Sequence, residues 1–342
     1  RIAEVSINIG LNLFFLLYCP KHGDSDLVAR VYNEDVGVGY VLISNMVASI
    51  SKLLFLLPDI WAAFKSVLDR TLLPILLRYS TPLLIAGLAG TVNEALDRIL
   101  LKHLLPAGIN PMEQLGIYGA NYKMAVLMTL FVQMFKYAAE PFFFSKSGES
   151  NAKKLYADVM TFFVISGLFI FLLVNIYLDY FILFIGKSFR EGSQIVPVIL
   201  MANLIMGIFF NLSIWYKLTN KTHFGAILVL TGAAITVGIN VLFIPTYGYL
   251  ASAWAHLICY STMVILSYAW SRKHYAIPYR TLRILAYIAL AIVIYAINEL
   301  FLQQMGKLKD LLGLLLLGLF AALVVFRERS TFNAYKSIPV KD

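Results

Sequence analysis

The sequence predicts an all-α polytopic membrane protein. Three observations carry this. Apolar residues make up 60% of the 342-residue chain, and mean hydropathy is +0.77, far above soluble norms. Ten apolar stretches are each long enough to cross a hydrocarbon layer, which takes roughly 20 residues as a helix. The connections between them are short, leaving no room for an extramembrane catalytic domain.

In chain order the spans are 2–19, 36–57, 75–101, 115–144, 156–185, 195–216, 224–244, 249–270, 282–302 and 311–326. The 20 tyrosines suit interface belts and cavity walls. Sixteen Lys and Arg fall in or beside alternate connections (65–78, 146–154, 217–221, 272–283 and 327–341), against seven in the others (21–30, 102, 187–190 and 307–309). The richer side is expected to be cytoplasmic, with the C-terminus inside. This asymmetry, facing anionic lipid headgroups, accounts for the net charge of +9. No basic domain stands apart from the membrane, which argues against nucleic-acid binding. Cys19 and Cys259 form no motif.

The chain begins at Arg1 and enters a span at once, without the basic region, short apolar core and cleavage site of a signal peptide. The expectation is the C-terminal part of a longer protein. Two segments resemble each other. Gly10-Leu11-Asn12-Leu13-Phe14-Phe15, then Pro20 and Gly39-Tyr40-Val41, is echoed by Gly238-Ile239-Asn240-Val241-Leu242-Phe243, then Pro245 and Gly248-Tyr249-Leu250. Weak internal symmetry of this kind is the mark of transporters built from repeated halves. Spans three to eight then form a six-helix unit whose last two helices match spans one and two, and a complete protein would have fourteen helices. The expected organisation is residues 1–58 as the end of a first lobe, 59–74 as an amphipathic cytoplasmic linker, 75–270 as the second lobe, 281–326 as a final helix pair and 327–342 as a cytoplasmic tail. In the linker, Ile60, Trp61, Phe64, Val67 and Leu68 share one helical face.

Charges inside a membrane span are costly and are kept mainly where they face a bundle interior or a polar cavity. The third span carries Asn93, Glu94, Asp97 and Arg98. Glu94, Arg98 and Lys102 recur at i, i+4, i+8 and share a face; Asn93 and Asp97 lie on the adjacent one. Either they wall the external half of a cavity, or Glu94 pairs with Arg98 while Arg98 and Lys102 snorkel to the interface. The fourth span carries a stripe of Tyr118, Tyr122, Thr129, Gln133, Lys136 and Glu140. Lys123 sits beside its outer end, and Lys136 and Glu140 form an i, i+4 pair. Asn45, Ser49 and Lys52 share a face of the second span, Asn203, Gly207 and Asn211 one of the sixth, and Ser252, His256 and Cys259 one of the eighth; such faces serve helix packing more often than cargo. His256 is a candidate proton site or a satisfied interior histidine. The basic groups thus fall at two depths, Arg98 and Lys123 outward and Lys52 and Lys136 inward. That distribution suits an anionic, phosphate-bearing cargo.

Gly186-Lys187-Ser188 looks like the end of a phosphate loop, but Phe181 stands where its first glycine belongs, so ATP hydrolysis is not expected. The five histidines lack metal-ligand spacing. No cofactor or metal is expected, and no enzymatic activity.

Tyr79-Ser80-Thr81-Pro82-Leu83, then Asn93 and Asp97-Arg98, then Leu115-Gly116-Ile117-Tyr118-Gly119-Ala120-Asn121-Tyr122-Lys123, then Ala139-Glu140-Pro141-Phe142-Phe143-Phe144 resembles the bacterial polysaccharide flippases, the lipid-linked oligosaccharide exporters of the superfamily that also holds the multidrug and toxic compound extruders. Ile244-Pro245-Thr246-Tyr247-Gly248-Tyr249, followed by Ala253-Trp254-Ala255, is similar to the same family. The resemblance runs over about residues 1–326. It implies two six-helix lobes plus two helices around a central cavity, and transport of undecaprenyl-diphosphate-linked oligosaccharide across the bacterial inner membrane by alternating access. It also implies a proton or sodium ion as coupling partner. A polysaccharide polymerase and a chain-length regulator are further candidate partners, beside the membrane lipids. Asp97, Arg98 and Lys123 match the family pattern; Lys52 and Lys136 come from spacing alone. The rival readings are a cation-coupled multidrug antiporter, a lipid II flippase and, from another class, a membrane glycosyltransferase or glycan ligase.

Overall fold

The computed structural model describes residues 2–22, 28, 31–64, 71–306 and 308–336. Among them there is no strand, and ten helical segments are long and apolar enough to cross a membrane. The protein is an all-α polytopic membrane protein. It divides into two compact units, Arg1–Pro74 and Ile75–Asp342.

The first unit is a helix pair. α1 (Ile2–Leu13) continues through a π-helical turn, Phe14–Tyr18, and a short 3-10 turn, Cys19–Lys21; α2 spans Tyr40–Phe64. Between them Phe15 stacks on Tyr40 at 4.5 Å and Tyr40 on Tyr32 at 5.2 Å. A polar seam joins the two helices: Asn8 donates to Asn45, and Lys52 pairs with Glu4 at 3.1 Å. α2 passes Pro58 without interruption as far as Phe64, so the surface helix expected from residue 59 begins as an extension of the span. Residues 65–70, including Val67 and Leu68 of the expected apolar face, lie outside the described residues.

The second unit contains α3 (Leu72–Leu104), α4 (Pro111–Tyr122), α5 (Val126–Lys146), α6 (Ala152–Ile176), α7 (Val196–Leu212), the short α8 (Ile214–Leu218), α9 (His223–Tyr247), α10 (Tyr249–His274), α11 (Thr281–Ile297) and α12 (Leu308–Lys336). α6 and α7 form its centre, with Leu168, Leu172, Leu200 and Leu204 fully buried. Glycine allows the closest approaches. A Cβ on Gly207 would lie 2.3 Å from the ring of Phe163, and one on Gly232 2.5 Å from Met263 Sδ. Small residues at crossings are how membrane helices gain packing contact without a hydrophobic driving force.

Three boundaries differ from the sequence reading for identifiable reasons. The fourth span is not one helix: a 3-10 turn, Lys123–Ala125, separates α4 from α5. The fifth span stops at Ile176 rather than continuing to residue 185, because Asp179 and Tyr180 turn aside to meet α12. There Lys309 pairs with Asp179, and the Tyr180 hydroxyl donates to Asp310 at 2.6 Å. The last helix continues past residue 326 to Lys336, because Glu328 is fully buried. It is bridged by Arg283 at 3.0 Å and accepts from the Tyr287 hydroxyl at 2.8 Å. Arg280 completes this network with Asp158 of α6 at 2.9 Å. The final pair is thus fixed to the lobe at both ends.

A third copy of the repeat is present. Ile297-Asn298-Glu299-Leu300-Phe301 matches Ile239-Asn240-Val241-Leu242-Phe243, and in each the asparagine stands eight residues before a glycine, Gly306 or Gly248. Both glycines have φ +55°, with ψ −131° and −135°. Gly37, between α1 and α2, has φ 47° and ψ −122°. This backbone region is costly for any residue with a Cβ, so the same turn geometry opens α2, α10 and the approach to α12.

Candidate functional site

Asp97 stands seven residues before the end of α3 at Leu104, Tyr118 seven after the start of α4 at Pro111, and His256 seven after the start of α10 at Tyr249. At 1.5 Å per residue, each lies about 10 Å below its helix end. The local sequence sets this register. Asn110 caps α4 by accepting from the Met112 amide at 3.0 Å, with Pro111 in the first helical turn. Gly248 provides the reversal that starts α10.

The three side chains meet. The Tyr118 hydroxyl donates to Asp97 Oδ2 at 2.5 Å, and His256 Nε2 lies 3.1 Å from the same oxygen. Asp97 Oδ1 accepts from the backbone N–H of Arg98 at 2.8 Å. Asp97, Tyr118 and His256 are 1%, 0% and 3% exposed, so this carboxyl group is sealed from both lipid and water. An ionised carboxylate is tolerable there only because donors surround it. Tyr122 closes the cluster. Its ring is 6.4 Å from that of His256 and 5.8 Å from that of Tyr118, and the Arg98 guanidinium carbon lies 5.3 Å from its centre. The Tyr260 ring lies beyond His256, tilted to it, with centroids 5.6 Å apart. His256 Nδ1 is buried with no hydrogen-bond partner among the described residues.

Arg98 itself is exposed, as are Glu94 and Lys102. Among the described residues no carboxylate forms a salt bridge with Arg98; its partner is the ring of Tyr122, not Glu94 four residues back. Nothing is described of the Asn93 side chain.

A second cluster lies toward the other end of the lobe. Lys136 and Glu140 share a face of α5, as their spacing requires, but do not pair. Glu140 is bridged at 2.7 Å by Lys217 of α8, and the Lys136 ammonium sits 4.5 Å over the Phe210 ring. With Asn211 and Ser213 they line a cleft of about 20 Å³, room for about one water. Lys217 is the residue the sequence reading assigned only to a loop. Its cue was its place immediately after Trp215 and Tyr216, both buried, which holds its stem against the lobe.

The remaining candidates are dispersed. Lys123 is exposed on the 3-10 turn and Gln133 is exposed on α5. Lys52 belongs to the first unit, in its pair with Glu4. The stripe of the fourth span therefore splits, with Tyr118 in the sealed cluster and Gln133, Lys136 and Glu140 on a more open face. Asn240 accepts from Ser252 at 2.9 Å, joining α9 to α10 as the helix-packing reading of such residues has it.

Compared with known proteins, the chain matches no family model, no curated protein and no solved structure.

Proposed function

We propose that this chain is part of a lipid-linked oligosaccharide flippase of the bacterial inner membrane, moving an undecaprenyl-diphosphate-linked repeat unit toward the outer leaflet by alternating access for surface polysaccharide synthesis. The observation that carries the reading is charged and polar side chains exposed on membrane-crossing helices. Glu94 and Arg98 on α3 and Gln133 on α5 are exposed in the second unit, yet lie within spans. A lipid-facing strip of that kind is unfavourable, so the face is best satisfied by a watery passage and a polar cargo. Arg98, without a carboxylate partner among the described residues and held against Tyr122, keeps its donors for an anion; a guanidinium is suited to bidentate contact with a diphosphate. Lys136 offers a second cation at another depth. The motif resemblance to polysaccharide flippases points the same way.

The test is surface glycan display in cells carrying the full-length protein. Arg98→Ala at normal expression is expected to abolish it, with lipid-linked glycan trapped on the inner leaflet; undiminished display would overturn the role of Arg98. Lys136→Ala and Lys52→Ala should each weaken display, and full display in the double variant would leave both with packing roles only. A cation-coupled antiporter of the same superfamily is the second reading. It is favoured by the buried Asp97 carboxyl group, and export of a lipophilic cation with normal glycan display would establish it instead.

A further inference from the structure

We infer that Asp97 and His256 together form a proton-binding site inside the membrane, and that its occupancy strengthens the hold of the neighbouring Arg98 on an anion. Two independent observations carry the first half. One is geometric: a carboxylate and an imidazole share a 3.1 Å contact, both almost completely buried, with the Tyr118 hydroxyl donating to the same oxygen. The other is the second imidazole nitrogen, Nδ1, buried and without a partner. That nitrogen is free to take a proton without breaking an existing hydrogen bond among the described residues. Here one nitrogen faces the carboxylate, and among the described residues the other has no hydrogen-bond partner.

The charge states follow. With neutral imidazole and ionised carboxylate, the pair carries one negative charge. Adding one proton makes it neutral, either as imidazolium beside carboxylate or as imidazole beside carboxylic acid. Both forms keep the Asp97–His256 hydrogen bond, so the proton is accommodated without rearranging the helices. Tyr118 keeps its donation in every state.

Titratable and charged groups surround the pair on three helices. α3 contributes Glu94 and Arg98, α4 contributes Tyr118 and Tyr122, and α10 contributes Tyr260 and Cys259, all within electrostatic reach of it or of the rings around it. The neighbouring α7 and α9 carry buried uncharged amides, Asn203 and Asn240, which bond to Thr129 and Ser252. Arg98 is the one cation in this set. When the pair is negative it offsets Arg98; when the pair takes a proton, that offset disappears and the positive potential beside Tyr122 rises. Proton binding and anion binding therefore favour each other, and by linkage each strengthens the other equally. The proton site holds whatever the cargo is; its effect on Arg98 rests on the flippase reading.

The test uses the full-length protein in lipid nanodiscs. In protein labelled with ¹⁵N in its histidines, His256→Gln identifies the His256 imidazole signal by its loss. That signal, or an infrared carboxyl band removed by Asp97→Asn, is expected to change reversibly as the medium is acidified, and Asp97→Asn should displace or abolish the imidazole change. Neither signal changing would overturn the site. Should His256→Gln fail to fold, Tyr118→Phe serves instead: it keeps both groups and removes one donor, and an unshifted transition in it would overturn the shared-oxygen arrangement. The second half is read by binding of farnesyl diphosphate. Affinity at acid pH relative to alkaline pH should be about tenfold higher in the wild type than in His256→Gln, the variant correcting for titration of the ligand itself. Titration of the pair with diphosphate binding that lacks that difference would leave the proton site and the flippase reading standing and overturn the coupling; no binding of farnesyl diphosphate at either pH would count against the flippase reading instead.

Discussion

The two polar clusters of the second unit use similar residues to opposite effect. Around Asp97, one carboxyl group receives a tyrosine hydroxyl, an imidazole and a backbone amide at almost no exposure. Around Glu140, one carboxylate receives one ammonium; Glu140 is 39% exposed and Lys217 14%. The first is a closed network in which every donor depends on the acid. The second is an open pair beside a water-sized cleft, where solvent can replace what a mutation removes. Burial, more than charge, separates a site able to store a proton from one that tethers two helix ends.

This contrast predicts a graded set of outcomes. Asp97→Ala should be the most damaging, because it strands His256 and Tyr118 in the interior; breaking such a buried pair costs about 3–5 kcal/mol, read as loss of folded protein in detergent and loss of transport. Gly248→Ala keeps the chemistry and disturbs only placement. A left-handed φ of +55° imposes about 1–3 kcal/mol on a residue with a Cβ. Gly238→Ala, in mid-helix with open space beside it, should be neutral or up to about 1 kcal/mol stabilising; equal effects at the two glycines would show that the turn does not set the register of His256. Glu140→Gln keeps an acceptor for Lys217 and should cost at most about 1 kcal/mol, an effect that shrinks in high salt. Lys136→Met should be the mildest for stability, removing a cation–ring contact of about 0.5–1 kcal/mol. A loss at Glu140 as large as that at Asp97 would erase the distinction between the clusters.

The spans were legible because length and hydropathy alone decide whether a helix can cross a bilayer. Asp97 was legible as a misplaced charge, but its partner was not. His256 lies 159 residues away, and nothing local to Ser252, His256 and Cys259 says which helix their face meets. The i, i+4 spacing of Glu94 and Arg98 and of Lys136 and Glu140 licensed two ion pairs that do not form. Spacing fixes a shared face, while the partner is set by what approaches from outside: Tyr122 for Arg98, Lys217 for Glu140 and Phe210 for Lys136. The third repeat copy escaped notice because Ala296 replaces the leading glycine and Gln303 stands where the proline would be. What persists is the asparagine-to-glycine interval, since the backbone at Gly306 tolerates little else.

The attachment of the last helix pair to α6 has a mechanical meaning. Asp158 lies 18 positions before the end of α6 at Ile176, about 27 Å along the helix and close to the thickness of the hydrocarbon layer, and Asp179 follows just beyond that end. One pin, Arg280 on Asp158, stands at one face of the membrane, and the other, Lys309 on Asp179, at the opposite face. A rod held at one point can still swing; held at two it can neither tilt nor slide on its own. A movement of α6 would therefore carry α11 and α12 with it.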